Sequence, residues 1–427
     1  MTARTTPTTD QGRPALHRRL GVRDAVVIGL GSMVGAGVFS AFTPAAAAAG
    51  SGLLVGLVVA AVVAWCNATA SAQLAAQYPT SGGTYVYGRE RLGPWWGFVA
   101  GWGFVVGKTA SCAAMALTVA TYAVGGDARA TRFLAIAAVV GLTIVNLRGI
   151  TKTARLATVL VVLTIGILGV TLVAIGVSNR TWHSPFEGWG TSSAYGILQS
   201  AGLLFFAFAG YARIATLGEE VRDPETTIPR AIPRALGIVV VLYAVVGVVL
   251  LAVLGPAGVA GSDLPLLAAA DQAGVSWMGA PVRVAAVLAS LGALLGLVTG
   301  VSRTMLAMAR ERDLPAVLAT VDERHGVPQA AQAAVCAVVV LLVVAFDVRA
   351  VIGFSSFGVL VYYAVANAAA VTQDATHRRW PRGLHLLGIV GCVVLVVTLP
   401  WAAVAVGVGV FAVGVLGRVL AQRLRAP

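Results

Sequence analysis

Four glycines, Gly29, Gly31, Gly35 and Gly37, interrupt the apolar stretch 24–49, and Gly210 stands near the middle of a second one, 194–219. Glycine weakens a helix, and in a bilayer a broken helix frees N–H and C=O groups that lipid cannot satisfy. Such a break persists where the freed groups line a cavity and meet a ligand. The half-span beginning near Ala36 would aim its first N–H groups, those of Ala36 and Gly37, at an anion. The half ending near Met33 would offer free carbonyls to a cation. A site offering both suits a zwitterion with one carbon between its charges, an α-amino acid. Close helix packing on small residues is the alternative account of these glycines.

Lys108 is the second chemical signal. It lies deep in the apolar stretch 94–124, beside Thr109, Ser111 and Cys112. A cation at that depth costs a few kcal/mol, and the nearest interface is roughly 15–20 Å away along the helix, beyond a lysine stem. Two roles fit. The ammonium reads an acidic or polar group of a ligand, or burial lets the amine gain and lose a proton. Both disfavour a ligand with a fixed cationic side chain. Arg213 follows Gly210 closely and is expected to pair with Glu219 or Glu220 as a latch, or to join an inner pathway. Arg303 reads as a gate or interface arginine.

Covalent chemistry has no comparable support. Cys66, Cys112, Cys336 and Cys392 fall in apolar segments without metal-ligand spacing and read as small buried hydrophobes. His17, His183, His325, His377 and His385 sit at ends or in loops and form no ligand pair. Neither an enzyme, nor a cofactor, nor a metal site is expected.

The elements that must position these residues are membrane helices. The chain has 427 residues, is 58% hydrophobic and only 11% charged, and contains 50 glycines. Apolar stretches near the spanning length recur from end to end, and no short alternating segments suggest a β-barrel. Twelve spans are expected: 24–49, 51–77, 94–124, 131–148, 154–178, 194–219, 233–255, 281–308, 328–346, 350–371, 383–399 and 400–420. A short amphipathic helix is expected over 261–274, and no large soluble domain. The net charge of +13 could suggest nucleic acid, but its placement follows topology. With the N-terminus inside, only Arg129, Arg132, Arg180, Arg283 and Arg349 fall on the outer side, and Lys108 and Arg213 within spans. The other basic residues lie on the inner side, which places both termini in the cytoplasm. The first 22 residues are polar and lack the apolar core of a cleavable signal.

Four motifs in order carry a family resemblance. Gly31, Ser32, Gly35, Gly37 and Phe39 resemble the first-span glycine motif of the amino acid–polyamine–organocation transporters. "YPTSGGTYVYGRERLGPWWGFVAGW" (78–102) looks like the segment leading into their third span. "FFAFAGYARIATLGEEVRDPETTIPRAI" (205–232) is similar to the sixth-span motif of the bacterial cationic-amino-acid-transporter branch. "SRTMLAMARERDLP" (302–315) resembles the end of the eighth. The likeness covers roughly residues 24–375.

The resemblance implies an all-α, LeuT-like fold of two inverted five-helix repeats, 24–178 and 194–371, with two further helices over 383–420. Tails 1–23 and 421–427 would lie in the cytoplasm of a multi-pass plasma-membrane protein. It implies alternating access around spans 1 and 6, both unwound at mid-membrane. The substrate carboxylate would meet the N–H groups of Ala36 and Gly37 beside Ser32 and Gly35. Its ammonium would meet the carbonyls of Met33, Phe206 and Ala209 beside Gly210, with the Phe206 ring closing from outside. Lys108 replaces an asparagine that faces the substrate side chain in arginine-exchanging relatives, with Ser111 nearby. Tyr85, Tyr87 and Gly82-Gly83 match an inner-gate region, though Tyr85 also suits an interfacial anchor.

This chain departs from the family in two places. Thr164 stands where some relatives carry a lysine that substitutes for sodium. Ala293 and Leu297 stand where a sodium site needs hydroxyls in span 8, so sodium coupling is not expected. A neutral or polar amino acid is the leading substrate and a cationic amino acid or polyamine the alternative. A channel or a transporter-like sensor is the alternative of another class. Uniport, antiport and proton symport all remain open.

Overall fold

Apolar runs of this length satisfy their backbone only as helices, and in the computed structural model the described residues form helices joined by turns and loops, with one isolated bridge between Leu20 and Val221. It describes residues 20–80, 82–125, 127–148, 154–188, 190, 192–322 and 324–424. The expected N-terminal tail up to residue 19, Lys152 and the last three residues of the C-terminal tail lie outside the described residues.

The first apolar stretch forms three pieces, α1 (Val22–Met33), α2 (Ala36–Ser40) and α3 (Phe42–Ala49). Then come α4 (Leu53–Gln77), α5 (Thr84–Leu92), α6 (Pro94–Val124), α7 (Ala128–Leu147) and α8 (Ala154–Ser178). The second interrupted stretch holds α9 (Ala194–Phe208), a 3-10 turn Ala209–Tyr211 and α10 (Ala212–Ala215). The chain continues through α11 (Pro224–Gly261), α12 (Pro265–Gln272), α13 (Gly279–Arg310), α14 (Gln329–Ala345), α15 (Val348–Val371), α16 (Arg382–Thr398) and α17 (Trp401–Arg423).

Ten of the described helical stretches are long and apolar enough to cross a membrane, and α14 and α16 are apolar but shorter. The protein is therefore a multi-pass membrane protein. Its centre is α6, which is almost wholly buried, whereas α7 and α17 present most of their length outward, as lipid-facing helices do. α6 packs against α13 and α15, the latter through Gly103, Gly107 and Gly358.

Three boundaries differ from expectation. α11 begins at Pro224 rather than at 233, although Pro229 and Pro233 lie inside it. Pro224 starts the helix where a missing N–H is harmless, and the following prolines remove donors from its early turns without ending it. The expected end at 255 is a kink, Gly255 at φ 67°, beyond which the helix resumes. α5 is a separate helix that the sequence reading took as a loop. The short helix expected over 261–274 is α12, with Leu266, Leu267, Ala269 and Ala270 packed into the body.

Candidate functional site

The first break falls at Val34 and Gly35. Val34 leaves the helical region (φ −80°, ψ 50°), its N–H still reaching the Leu30 carbonyl, and Gly35 is fully non-helical (φ −98°, ψ −131°). Beyond it α2 and α3 form one half-helix over 36–49, because Ala41 keeps helical angles and its N–H reaches the Gly37 carbonyl at 3.0 Å. The second break is milder, a tightened turn at Ala209–Tyr211.

The two breaks pack directly on each other. A Cβ on Gly210 would collide with the Ser32 carbonyl and the Met33 nitrogen, and one on Gly37 would lie 2.6 Å from the Ala207 Cα. Only glycine allows either approach. α13 backs the first break: a Cβ on Gly35 would stand 3.0 Å from that of Ala293, with Leu297 half-buried one turn on. Ser32 turns its hydroxyl back to the Ile28 carbonyl at 3.0 Å.

The carbonyls expected to face a cation all have partners. The Tyr243 hydroxyl, from α11, donates to the Met33 carbonyl at 2.7 Å and lies 3.2 Å from the Ala207 carbonyl. The Phe206 carbonyl accepts the Ala209 N–H. The Ala209 carbonyl accepts Lys108 Nζ at 2.9 Å and the Tyr363 hydroxyl at 3.3 Å. Lys108 is thus brought from α6 to the second break, buried at 5% exposure. Ser111, one turn on, instead meets the Ser355 hydroxyl at 2.7 Å and stays in the α6–α15 seam. Phe206 is buried, and the Tyr211 and Tyr363 rings lie tilted by 30° with centroids 5.0 Å apart. Thr164 is buried on α8, which packs against α1 and α13.

At the end that carries Leu20 and Glu220, the two interrupted spans are joined by their backbones. The Leu20 N–H donates to the Glu220 carbonyl at 3.2 Å, and the Arg222 N–H to the Leu20 carbonyl at 2.9 Å. Arg213 lies 3.9 Å from Glu220 and 3.3 Å from the Thr216 hydroxyl. Of the two expected partners Glu220 is the one in ion-pair range, and Glu219 is exposed. Arg303 is also exposed. Tyr87 sends its hydroxyl to the Ala215 carbonyl at 3.4 Å. Tyr85 is no interfacial anchor: it is buried, and its hydroxyl donates to Asp313 at 2.9 Å.

That aspartate, just past α13, centres a cluster that the sequence reading missed. Arg418 from α17 pairs with it at 2.8 Å, Arg89 from α5 at 3.2 Å, and Arg89 also reaches Glu311 at 2.9 Å. Arg418 further donates to the Pro94 carbonyl and lies 4.4 Å over the Trp95 ring. Burial pushes the Asp313 carboxyl up, against the downward pull of the Tyr85 hydroxyl and the two guanidiniums. Arg418 belongs to the basic residues expected on the inner side; it is buried, and the proximity of an arginine to a distant aspartate is not readable from spacing. His385, expected at a helix end, is fully buried in the first turn of α16. Among the described residues no three potential metal ligands converge.

These features define a polytopic membrane protein with two interrupted helices apposed at its centre. The chain belongs to the amino acid permease family, whose pattern it matches over residues 20–416. It is 56% identical to an uncharacterized transporter of Mycobacterium tuberculosis, over 96% of this chain and 93% of that one. It is 26% identical to the branched-chain amino acid permease BcaP of Bacillus subtilis, over 92% of this chain and 90% of that one. It is also 26% identical to the chloroplastic cationic amino acid transporter 7 of Arabidopsis thaliana, over 90% of this chain and 71% of that one. The protein is a transporter of this family, not an enzyme.

Proposed function

We propose that this permease moves a small neutral or polar α-amino acid across the plasma membrane by alternating access about its two helix breaks. The observation that carries the reading is the apposition of the breaks, Gly210 against Ser32 and Met33, and Gly37 against Ala207. Breaks at matching places in two halves suit a LeuT-like arrangement in which 24–178 and 194–371 are inverted repeats, followed by two further helices for twelve spans in all. In this reading both termini face the cytoplasm. Ala36 and Gly37 receive the substrate carboxylate next to Ser32 and Gly35, and the remaining lone pairs of the Met33 and Phe206 carbonyls receive the ammonium. Phe206, Gly210 and Leu297 line the substrate site in this reading. Arg213, Glu220 and the backbone joint at Leu20 hold the inner end shut, with Glu219 and Arg303 at its rim. Lys108 or Thr164 bears on coupling, with protons as the coupled ion.

A cationic amino acid or polyamine is the second reading, favoured by the relatives named for cationic substrates. Lys108 opposes it, because a second cation beside a buried ammonium is repelled in a low-dielectric site. The experiment is a thermal-shift screen of all amino acids and of putrescine on purified protein at two pH values, followed by uptake into proteoliposomes. Stabilisation and concentrative or exchange uptake of an amino acid support the proposal. Ion currents without solute turnover would replace it with a channel.

A further inference from the structure

Lys108 is a buried lysine without a counter-ion among the described residues. One of its N–H bonds reaches the Ala209 carbonyl, and among the described residues it has neither another acceptor in hydrogen-bond reach nor a carboxylate in ion-pair range. An ammonium has three donors, so two meet no acceptor among the described residues. Its neighbours do not supply the lack. Ser111 is committed to Ser355, Thr109 turns back to the Val105 carbonyl at 2.6 Å, and Cys112 is a buried thiol. The Ala209 carbonyl, with Lys108 and Tyr363 both donating to it, has used its two lone pairs.

Two consequences follow for a ligand bound beside the breaks. Its own ammonium gains nothing from Ala209 while Lys108 sits there. A group that accepts hydrogen bonds and carries negative charge gains the unused donors. The desolvation of the lysine is already incurred by its burial, so the ligand adds only its own. A carboxylate fits best, being acceptor-only and able to take two N–H bonds. A primary amide turns an NH2 group against the same donors, and an aliphatic group leaves them unmet.

We infer that Lys108 receives a side-chain carboxylate, so that the site takes an acidic α-amino acid ahead of the corresponding amide. This rests on the amino acid reading above and narrows its polar class to the acidic end. The α-carboxylate and α-ammonium keep the places proposed for them at the two breaks, and the second carboxylate extends along α6 to Nζ.

The test is binding of L-glutamate, L-aspartate, L-glutamine and L-asparagine to the purified full-length protein, followed by competition against a labelled amino acid in proteoliposomes. The acids should bind about tenfold or more tightly than their amides. In Lys108→Met the preference should vanish or invert, with the apparent affinity for the amides held or improved. The wild-type comparison of acid with amide stands by itself if that variant does not fold, and Lys108→Arg, which keeps the charge, should keep the preference. Amides or apolar amino acids binding as well as the acids to the wild type would overturn this inference and leave the amino acid reading intact. Failure of every amino acid to bind would remove both.

Discussion

Gly37 faces Ala207 across the two breaks with no room for a methyl group between them, the virtual Cβ standing 2.6 Å from the Ala207 Cα. That contact fixes how far the two half-helices approach each other. Gly37→Val should therefore force them apart, at about 1–3 kcal/mol of overpacking strain. The expected outcome is a lowered melting temperature in detergent and uptake reduced to background. Gly141→Ala, on the outward face of α7 with open space around it, is the contrast: it should leave both unchanged. Equal behaviour of the two variants would show that the approach of the breaks is not constrained.

The Tyr243 hydroxyl serves the carbonyl at the end of α1. Tyr243→Phe keeps the ring but removes the donor from Met33, at about 1–3 kcal/mol for a buried acceptor left unmet. The variant should insert normally, melt lower and bind its ligand differently, because a freed carbonyl is a new acceptor for an ammonium. Isothermal titration against wild type checks it; identical stability and affinity would mean that the bond does not hold the break.

Asp313 and Arg418 are 3% and 5% exposed at their side chains and 2.8 Å apart, so removing either leaves a buried charge. Arg418→Met or Asp313→Asn alone should lower stability by about 3–5 kcal/mol, less whatever Arg89 retains of the Asp313 charge. The double variant should lose less than the two singles together, because neither charge is then stranded. Additive losses in unfolding experiments would count against direct coupling.

Arg213 and Glu220 make the opposite case. At 3.9 Å, with about a third of each side chain exposed, the pair should contribute less than about 1 kcal/mol. Glu220→Gln should leave the melting temperature nearly unmoved. A drop as large as that of Asp313→Asn would mean that this latch is stronger than its geometry allows.

The helices were legible where length and hydropathy act together. The bounds of α6 (94–124) and α8 (154–178) fall where the apolar runs do, because a bilayer leaves a long apolar run little choice of structure. α5 was not legible, since "TYVYGRERL" is polar, short and without apolar periodicity, and it is helical through its packing on α6. The start of α11 was not legible, because its first turns, 224–232, carry prolines and charges rather than an unbroken apolar run. Both breaks were visible as glycines. What fills them was not. Tyr243 stands 210 residues from Met33, and Tyr363 stands 154 from Ala209. A tyrosine in an apolar run looks like any core aromatic until its partner is placed. The same distance in sequence hid Arg418 from Asp313. Lys108 stood out because a lone cation in an apolar span needs an explanation, although its attachment to Ala209 could be seen only in three dimensions.

The joint between Leu20 and residues 220–222 is written in peptide groups, not side chains. Amino acid identity hardly enters it, so sequence drift around Leu20 can alter every neighbouring side chain and leave the fastening in place. Proline is the exception, because it deletes a donor: at position 20 or 222 it would strip one strap from the seam. The side chains around the seam can thus change while the two interrupted helices stay fastened backbone to backbone.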